Sequence, residues 1–111
     1  MELYDLEWAD PAWDGWDKLK NRLPIGIEQR VLQQLYILRQ LPDLGQWYPP
    51  VVAPVPLPGR WQYAFSFPGA WAGERHRFVV AYKRDDERRL IILQAIGYYK
   101  ELIPDDDIGD F

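Results

Sequence analysis

Hydrophobic and polar residues alternate at the start of the chain. Over residues 2–8, Tyr4, Leu6 and Trp8 fall on one side and the acids Asp5 and Glu7 on the other. A period of two is typical of a half-buried β-strand, because successive side chains of a strand point to opposite faces. The pattern therefore predicts a first strand over residues 2–8.

The hydrophobic spacing then changes to three and four residues, which predicts two helices joined by a short break. Asp10 is the expected N-cap of the first helix and Pro11 its first residue, since Pro lacks the donor that this position leaves unused. The second helix is expected from Pro24 to about Leu41, with Pro42 ending it. Together they form an αα-hairpin. The apolar stripes consist of Ala12, Trp16, Leu19 and Leu23 in the first helix and Ile27, Val31, Leu35 and Leu38 in the second.

Residues 43–59 contain five of the ten prolines. Each Pro lacks a backbone donor, so this segment cannot join a central strand and is interpreted as a long connection with polyproline II character. Apolar residues alternate with the prolines, which favours packing of the connection on the body. A recognition ligand for a partner is the alternative.

Three further strands follow the connection. Residues 60–67 and 75–83 alternate between apolar and polar positions, and residues 89–96 form a continuous apolar run suited to the centre of a sheet. A polar hairpin loop is expected over residues 84–88, and Gly97 is expected to end the last strand. The predicted class is α+β: an N-terminal strand, a two-helix hairpin and a three-strand antiparallel meander, with the helices on one face of the sheet.

Size and composition are those of one small domain. The chain has 111 residues, of which 48% are hydrophobic and 15% aromatic, enough for a single core. Residues 1–103 are expected to form the domain and residues 104–111 an acidic flexible tail. Without cysteine there is no disulfide, and neither a signal peptide nor a bilayer-spanning apolar run is visible. We therefore expect a soluble cytoplasmic protein.

The net charge of -4 hides an asymmetry along the chain. Residues 1–17 carry six acids and no base, and the stretch from Glu101 onward carries five acids and no base. The body between them is net basic. One interpretation is a solvated surface with charges interspersed for solubility. The other is a positive patch that meets a phosphate backbone or an acidic partner.

The residue types needed for several chemistries are scarce. His76 is the only histidine, Ser66 the only serine, and there is no threonine, so a hydrolase triad and a His-rich metal site are disfavoured. By strand parity His76 shares a face with Phe78 and is interpreted as a packing residue. The three consecutive acids Asp105, Asp106 and Asp107 are not expected to converge on one ion. No metal and no cofactor is predicted.

The remaining candidate chemistry is basic and aromatic. Arg75, Arg77 and Lys83 share one face of the predicted third strand, Arg60 begins the second, and Tyr98, Tyr99 and Lys100 follow the fourth. Guanidinium groups bind phosphate and aromatic rings stack on unpaired bases, so this set suits an RNA-binding sheet face. Ordinary solvent-facing cations, with the two tyrosines closing the core, are the alternative interpretation.

Three segments carry a resemblance to a known family. With the strand over residues 4–8 and a helix pair ending in Leu41-Pro42, they resemble the RelE/ParE toxin superfamily, and the last of the three is similar to its HigB-like, phage-derived branch. The likeness covers about residues 2–103. The segments are Leu57-Pro-Gly-Arg-Trp-Gln-Tyr63, Arg77-Phe-Val-Val-Ala-Tyr82 and Arg89-Leu-Ile-Ile-Leu-Gln-Ala-Ile-Gly-Tyr-Tyr-Lys100.

The resemblance implies the toxin of a bacterial type II toxin-antitoxin pair, with a cognate antitoxin as partner. It implies a ribosome-dependent mRNA endoribonuclease that acts without metal, in which Arg77 binds phosphate, Lys100 assists charge or proton transfer, and Tyr98 or Tyr99 stacks on a base. Arg60, Arg75 and Lys83 would add RNA contacts. The alternative is a non-catalytic protein of the same fold that binds a protein partner or inhibits DNA gyrase. A homodimer or a toxin-antitoxin complex would be its assembly.

Overall fold

A computed structural model of the chain describes residues 3–48, 60–69 and 73–102. Three α-helices, five strands and one 3₁₀ turn lie within these residues. In chain order they are β1 (Asp5–Trp8), α1 (Asp10–Lys20), α2 (Ile27–Gln40), the 3₁₀ turn (Pro42–Leu44), β2 (Gln46–Tyr48), β3 (Arg60–Pro68), β4 (Arg75–Asp85), β5 (Leu90–Tyr98) and α3 (Tyr99–Leu102).

The strands form one sheet in the order β1-β5-β4-β3-β2. β3, β4 and β5 make the predicted antiparallel meander, and β1 pairs with β5 in parallel, with Leu6 opposite Ile91. This is the predicted α+β class, and the fold prediction is confirmed. The antiparallel register places the start of β4 beside the end of β5, where Phe78 lies opposite Tyr98.

The core lies between the helix hairpin and one face of the sheet. It is built from the predicted stripes of α1 and α2 and from alternate residues of β3, β4 and β5. Gly15 allows α1 to approach β5 closely, because a Cβ there would lie 2.7 Å from the carbonyl oxygen of Ile96. Burial of these apolar side chains, at about 25 cal/mol per Å², is the main force that holds the hairpin on the sheet. The fully buried side chains of largest volume are Tyr82, Phe78, Leu38, Ile91, Leu93, Val31 and Val80.

The helix starts differ from the sequence prediction. Ala9, with extended backbone, is the N-cap of α1, and Asp10 is instead its first residue, where a carboxylate faces the positive end of the helix dipole. α2 begins at Ile27 and not at Pro24, because Gly26 adopts a left-handed conformation with φ of 91° and ends the connection between the helices.

Two strand predictions are also corrected. The segment predicted as a connection over residues 43–59 contributes a 3₁₀ turn and the short strand β2, which pairs with β3 before the first proline of the Pro-rich part. β2 lies at the edge of the sheet, beside β3, and not at its centre. β5 passes through Gly97 to Tyr98, because these residues pair with Val79 and Phe78 of β4, and α3 packs over Gly97, where a Cβ would meet Leu102 at 3.3 Å. Residues 49–59 and the predicted tail, 104–111, lie outside the described residues.

The sheet face opposite the helices is partly covered. Val79 and Ala81, predicted on the polar side of β4, are buried at 3% and 1% exposure, and a β-bulge interrupts the register between Ala81 and Tyr82. α3 packs against β4 and β5 on this side. Within the residues that the structure describes, no helix is long and apolar enough to cross a membrane.

Candidate functional site

A cavity of about 380 Å³ opens at the end of the sheet where β4 begins and β5 ends. We call it the basic cavity, because four cations and one carboxylate line it. The antiparallel pairing of β4 with β5 brings the two chain segments together, and α3 follows β5 without a gap. The lining residues are Arg22, Arg75, Arg77, Tyr98, Tyr99, Lys100 and Glu101.

Arg77 and Tyr99 form one wall of the basic cavity. The Arg77 guanidinium carbon lies 3.7 Å from the centroid of the Tyr99 ring, a stacked cation–π contact. Tyr99 is the first residue of α3, which turns back over the sheet at Gly97 and thereby carries the ring to β4. The contact with the ring limits the positions that the guanidinium can take, and a guanidinium group is well suited to bind an oxyanion.

Arg75 is held by the neighbouring strand. Its Nη2 donates to the Ser66 hydroxyl at 2.9 Å, and its Nε lies 3.3 Å from the same oxygen. Ser66 lies on β3 opposite Arg77, so the only serine of the chain fixes the second arginine of the wall. Two guanidinium groups two residues apart on one strand face are thus presented together.

Tyr98 lies on the helix side of the basic cavity. Its ring packs on Phe78 with centroids 4.8 Å apart, and the Arg22 guanidinium lies 5.0 Å above it. Arg22 also makes a bidentate contact with Glu101, with Nη1 and Nη2 donating to the two carboxylate oxygens at 2.8 and 2.7 Å. This pair ties the end of α1 to α3. Burial raises the pKa of Tyr98, while the hydrogen bonds from Arg22 lower the pKa of Glu101.

His76 lies directly behind Tyr98. It stacks on Phe78 with an angle of 10° between the rings, as its predicted packing role requires. Its Nε2 lies 3.1 Å from Glu74 Oε1, and its Nδ1 lies 3.4 Å from the Tyr98 hydroxyl. The side chain is 17% exposed. Glu74 packs so closely against Gly69 that a Cβ at Gly69 would collide with the carboxyl group.

A smaller cavity of about 270 Å³ lies on the other side of the Arg77–Tyr99 stack. Gln62, Ala64 and Val79 contribute to its lining. The Gln62 amide nitrogen is buried there without a hydrogen-bond partner. The Arg77–Tyr99 stack therefore separates two concave surfaces.

The structure brings five of the predicted site residues together and leaves two apart. Lys83 lies six residues beyond Arg77 along β4, or about 20 Å away, and is exposed. The backbone of Arg60 pairs with Tyr48 near the same distant end of the sheet. The RNA contacts predicted for Lys83 and Arg60 stay predictions. The five that converge on the basic cavity are Arg75, Arg77, Tyr98, Tyr99 and Lys100.

Arg22, Glu74 and Glu101 were not predicted as site residues. Arg22 and Glu101 are 79 positions apart, so no local pattern connects them. Among residues 3–48, 60–69 and 73–102, no group of three or more His, Cys, Asp or Glu side chains is arranged to hold a metal ion. The acids Asp105, Asp106 and Asp107 lie outside these ranges.

Comparisons with known proteins agree on the fold. A chain of the toxin-antitoxin complex RelBE2 from Mycobacterium tuberculosis is similar, with a TM-score of 0.59 and 19% identity over 88% of this chain and 93% of that one. A mutant of the E. coli toxin RelE in the free state has a TM-score of 0.56 and 13% identity over 99% and 100%. No protein-family model and no curated protein sequence matches the chain. At these identities the likeness shows a RelE-like fold.

Proposed function

We propose that this chain is the toxin of a type II toxin-antitoxin pair and a ribosome-dependent mRNA endoribonuclease that acts without metal. The observation that carries the proposal is the basic cavity, where Arg75, Arg77 and Lys100 lie beside two tyrosines at one end of the sheet. Cations for phosphate and rings for unpaired bases are the two elements of single-stranded RNA recognition. The structures of similar fold come from a toxin-antitoxin complex and from the toxin RelE, which supports the same assignment.

The charge at the cavity supports RNA binding in an acidic protein. Four cations face one carboxylate, and that carboxylate is already paired with Arg22. The described acids of the N-terminal part lie on β1 and α1, and none of them lines the basic cavity; they are Asp5, Glu7, Asp10, Asp14 and Asp17. The residues that line the basic cavity therefore carry a net positive charge, which favours phosphate, although the net charge of the chain is -4.

In the proposed reaction, the ribose 2′-oxygen attacks the adjacent phosphorus while the bond to the 5′-oxygen breaks. The Arg77 guanidinium stabilises the added negative charge on the pentacoordinate phosphorus, and its stack on Tyr99 fixes its direction beforehand. Arg75 binds a neighbouring phosphate oxygen, and Lys100 donates a proton to the departing 5′-oxygen. Tyr99 stacks on a flanking base.

The test is Arg77→Ala in a cleavage assay on programmed ribosomes, read by primer extension. Loss of a preorganised cation at the transition state should lower the rate by about 100- to 1,000-fold. Arg88→Ala is the matched control, because Arg88 is an exposed arginine in the β4–β5 turn at the opposite end of the sheet. Cleavage by Arg77→Ala at the wild-type rate would refute the proposal.

Growth arrest should depend on the same residue as cleavage. Expressed alone, the Arg77→Ala variant should be harmless and the Arg88→Ala variant should be toxic. We further propose a cognate antitoxin that neutralises the chain, action in the cytoplasm where ribosomes are found, and membership of the HigB-like branch. An adjacent small reading frame whose product binds this chain and restores growth would support the pairing. Contacts from Lys83 and Arg60 would extend the RNA path along the sheet beyond the cavity.

A second candidate is a non-catalytic protein of the same fold that binds a protein partner. It is favoured by apolar side chains exposed on the helices, of which Trp13 is 48% and Tyr36 50% exposed. Trp13 stacks on Trp8 at 4.7 Å beside exposed acids of α1. Under this candidate, Trp13→Ala abolishes the effect on growth and Arg77→Ala does not, the reverse of the endoribonuclease.

A further inference from the structure

The contacts behind Tyr98 form a continuous chain of hydrogen-bonding groups. Glu74 Oε1 lies 3.1 Å from His76 Nε2, and His76 Nδ1 lies 3.4 Å from the hydroxyl of Tyr98, a residue that lines the basic cavity. We propose that Glu74, His76 and Tyr98 form a proton relay that draws the proton of the attacking 2′-OH out of the basic cavity through the Tyr98 hydroxyl. The inference rests on the proposed function and assigns its base.

The geometry determines the tautomer of His76. A carboxylate can only accept, so Nε2 carries the hydrogen of the neutral imidazole and Nδ1 is left as the acceptor. The tyrosine hydroxyl then donates to Nδ1, and the oxygen lone pairs of Tyr98 are available to a proton from the cavity side. The two hydrogen bonds thus point the same way, from Tyr98 to His76 and from His76 to Glu74.

The surroundings hold each member in place. Phe78 stacks on His76 and packs on Tyr98, so both rings are fixed against one side chain. Glu74 is fixed by Gly69, whose N–H donates to the Glu74 carbonyl at 2.8 Å and whose missing Cβ leaves room for the carboxyl group. Tyr98 remains a protonated phenol at neutral pH, because burial raises its pKa.

The relay also has an exit. Glu74 and His76 line a separate cavity of about 420 Å³ beside the connection between α1 and α2, on the far side of Tyr98 from the basic cavity. The Glu74 side chain is 37% exposed, so a proton that reaches His76 can pass to water there. Among the described residues, the titratable and charged groups around His76 are Glu74 and the neutral phenol of Tyr98 in contact, Arg30 in the same cavity, and the Arg22–Glu101 pair beyond Tyr98.

The 2′-oxygen forms its bond to phosphorus and gives its proton to the Tyr98 oxygen, while the Tyr98 proton moves to His76 Nδ1. The imidazolium is stabilised by the Glu74 carboxylate. The bond from phosphorus to the 5′-oxygen breaks, and Lys100 protonates that oxygen, which leaves a 2′,3′-cyclic phosphate and a 5′-hydroxyl. Tyr98 is the catalytic residue, and His76 and Glu74 are positioning residues that act through it.

Because His76 is the only histidine, its ring nitrogens give isolated signals in a ¹⁵N NMR spectrum of the full-length chain. The relay predicts one neutral tautomer with hydrogen on Nε2. Tyr98→Phe should shift the Nδ1 resonance alone, and Glu74→Gln or Gly69→Ala should produce a mixture of tautomers. Gly69→Ala keeps the carboxylate and only displaces it. A neutral ring with hydrogen on Nδ1 would overturn the relay, whether or not the chain cleaves RNA.

The functional arm compares two substitutions of His76 on programmed ribosomes. His76→Gln can still accept from Tyr98 and donate to Glu74 but takes up no proton, and His76→Phe does neither. We expect both to lower kcat by about 100-fold with KM unchanged, the low end of general acid–base effects. A purely structural role predicts that His76→Gln behaves as the wild type, which would overturn the relay.

The two arms separate this inference from the proposed function. An inactive wild-type chain with the expected tautomer would refute the endoribonuclease and leave the hydrogen-bonded chain of Glu74, His76 and Tyr98 in place. An active wild-type chain whose His76→Gln variant cleaves equally fast at every pH would keep the endoribonuclease and refute the relay. Arg88→Ala again controls for an unrelated loss of charge.

Discussion

Replacing Tyr82 by Phe removes one oxygen atom from the centre of the fold. Tyr82 is fully buried, and its hydroxyl donates to the Pro42 carbonyl at 2.8 Å and accepts from the Gly45 N–H at 3.0 Å. These bonds anchor the segment between α2 and β2 to the sheet. In the variant the Gly45 N–H loses its acceptor, whereas Pro42 keeps a hydrogen bond from Arg84 at 3.3 Å. A buried group left unsatisfied costs about 1–3 kcal/mol, and we expect the free energy of unfolding to fall by that amount at pH 7.

The same hydroxyl predicts an alkaline signature. Burial raises the pKa of Tyr82 from 10.0 to about 12. In the unfolded chain the phenol ionises near its ordinary pKa, so above pH 10 the unfolded state loses its proton first and is favoured. The stability contributed by the neutral phenol is complete below pH 10 and is lost as the pH rises to about 12. The difference between the two pKa values corresponds to about 3 kcal/mol.

Urea unfolding followed by tryptophan fluorescence between pH 7 and pH 11 measures both effects. Tyr82→Phe should start less stable than the wild type and lose less stability above pH 10, so the two curves converge. Tyr36→Phe is the matched control, because Tyr36 is 50% exposed and loss of its hydroxyl should leave the free energy of unfolding at pH 7 unchanged. If Tyr82→Phe unfolds with wild-type free energy at pH 7 and wild-type slope above pH 10, the reasoning from burial is wrong.

Three further predictions follow from close contacts and charge. Gly15→Ala should lower the free energy of unfolding by about 1–2 kcal/mol, because the collision with the Ile96 carbonyl outweighs the roughly 1 kcal/mol gain in helix propensity; a more stable variant in urea would contradict this. Gln62→Met should leave the free energy of unfolding unchanged or raise it, because the Gln62 amide nitrogen is buried without a hydrogen-bond partner. A loss of more than about 1 kcal/mol would show that this nitrogen makes a hydrogen bond. Affinity for a short single-stranded RNA should fall with salt with a log–log slope of about -2 to -3, and Arg77→Ala should reduce that slope by about 0.7; salt-independent binding would exclude phosphate contacts.

Most of the fold follows from short-range periodicity. The alternation at Trp61 and Phe65 and the stripe through Val31 and Leu35 are local patterns whose burial requires one particular face, so strands and helices could be assigned from them. The β2 strand could not, because three residues before a proline-rich stretch carry no period and pair only where β3 offers an edge. The parallel pairing of β1 with β5 likewise depends on contacts 85 positions apart, between Leu6 and Ile91.

Gly15 shows how a local rule fails for a tertiary reason. Judged by helix propensity alone, a glycine in the middle of α1 only weakens the helix. In the structure the glycine is needed for packing, because the Ile96 carbonyl oxygen of β5 lies where a side chain at position 15 would be. Gly97 is a second example: its flexibility suggests the end of a strand, but it pairs with Val79 within the sheet, and its missing side chain makes room for Leu102.

Part of the candidate site was accessible from the sequence. Arg75 and Arg77 share strand parity, and an antiparallel hairpin must bring the start of one strand to the end of the next, which is where Tyr98 and Lys100 lie. Parity alone also groups Lys83 with them, but parity carries no information about distance. At about 3.3 Å per residue, the six positions from Arg77 to Lys83 place these two residues about 20 Å apart, in different regions of the sheet surface.

His76 marks the limit of reasoning from parity. Its position on the face of Phe78 was predicted, and the stack on Phe78 agrees with a packing role. Packing on that face, however, also sets the imidazole between a tyrosine hydroxyl and a carboxylate, contacts that depend on Gly69 making room for Glu74 and on β5 extending one residue past Gly97. A strand that ended at Gly97, as the sequence suggests, would leave Tyr98 without its place opposite Phe78. The contacts at Gly69 and the passage of β5 through Gly97 therefore assemble the hydrogen-bonded chain, and in this fold one imidazole serves both packing and the proposed proton transfer.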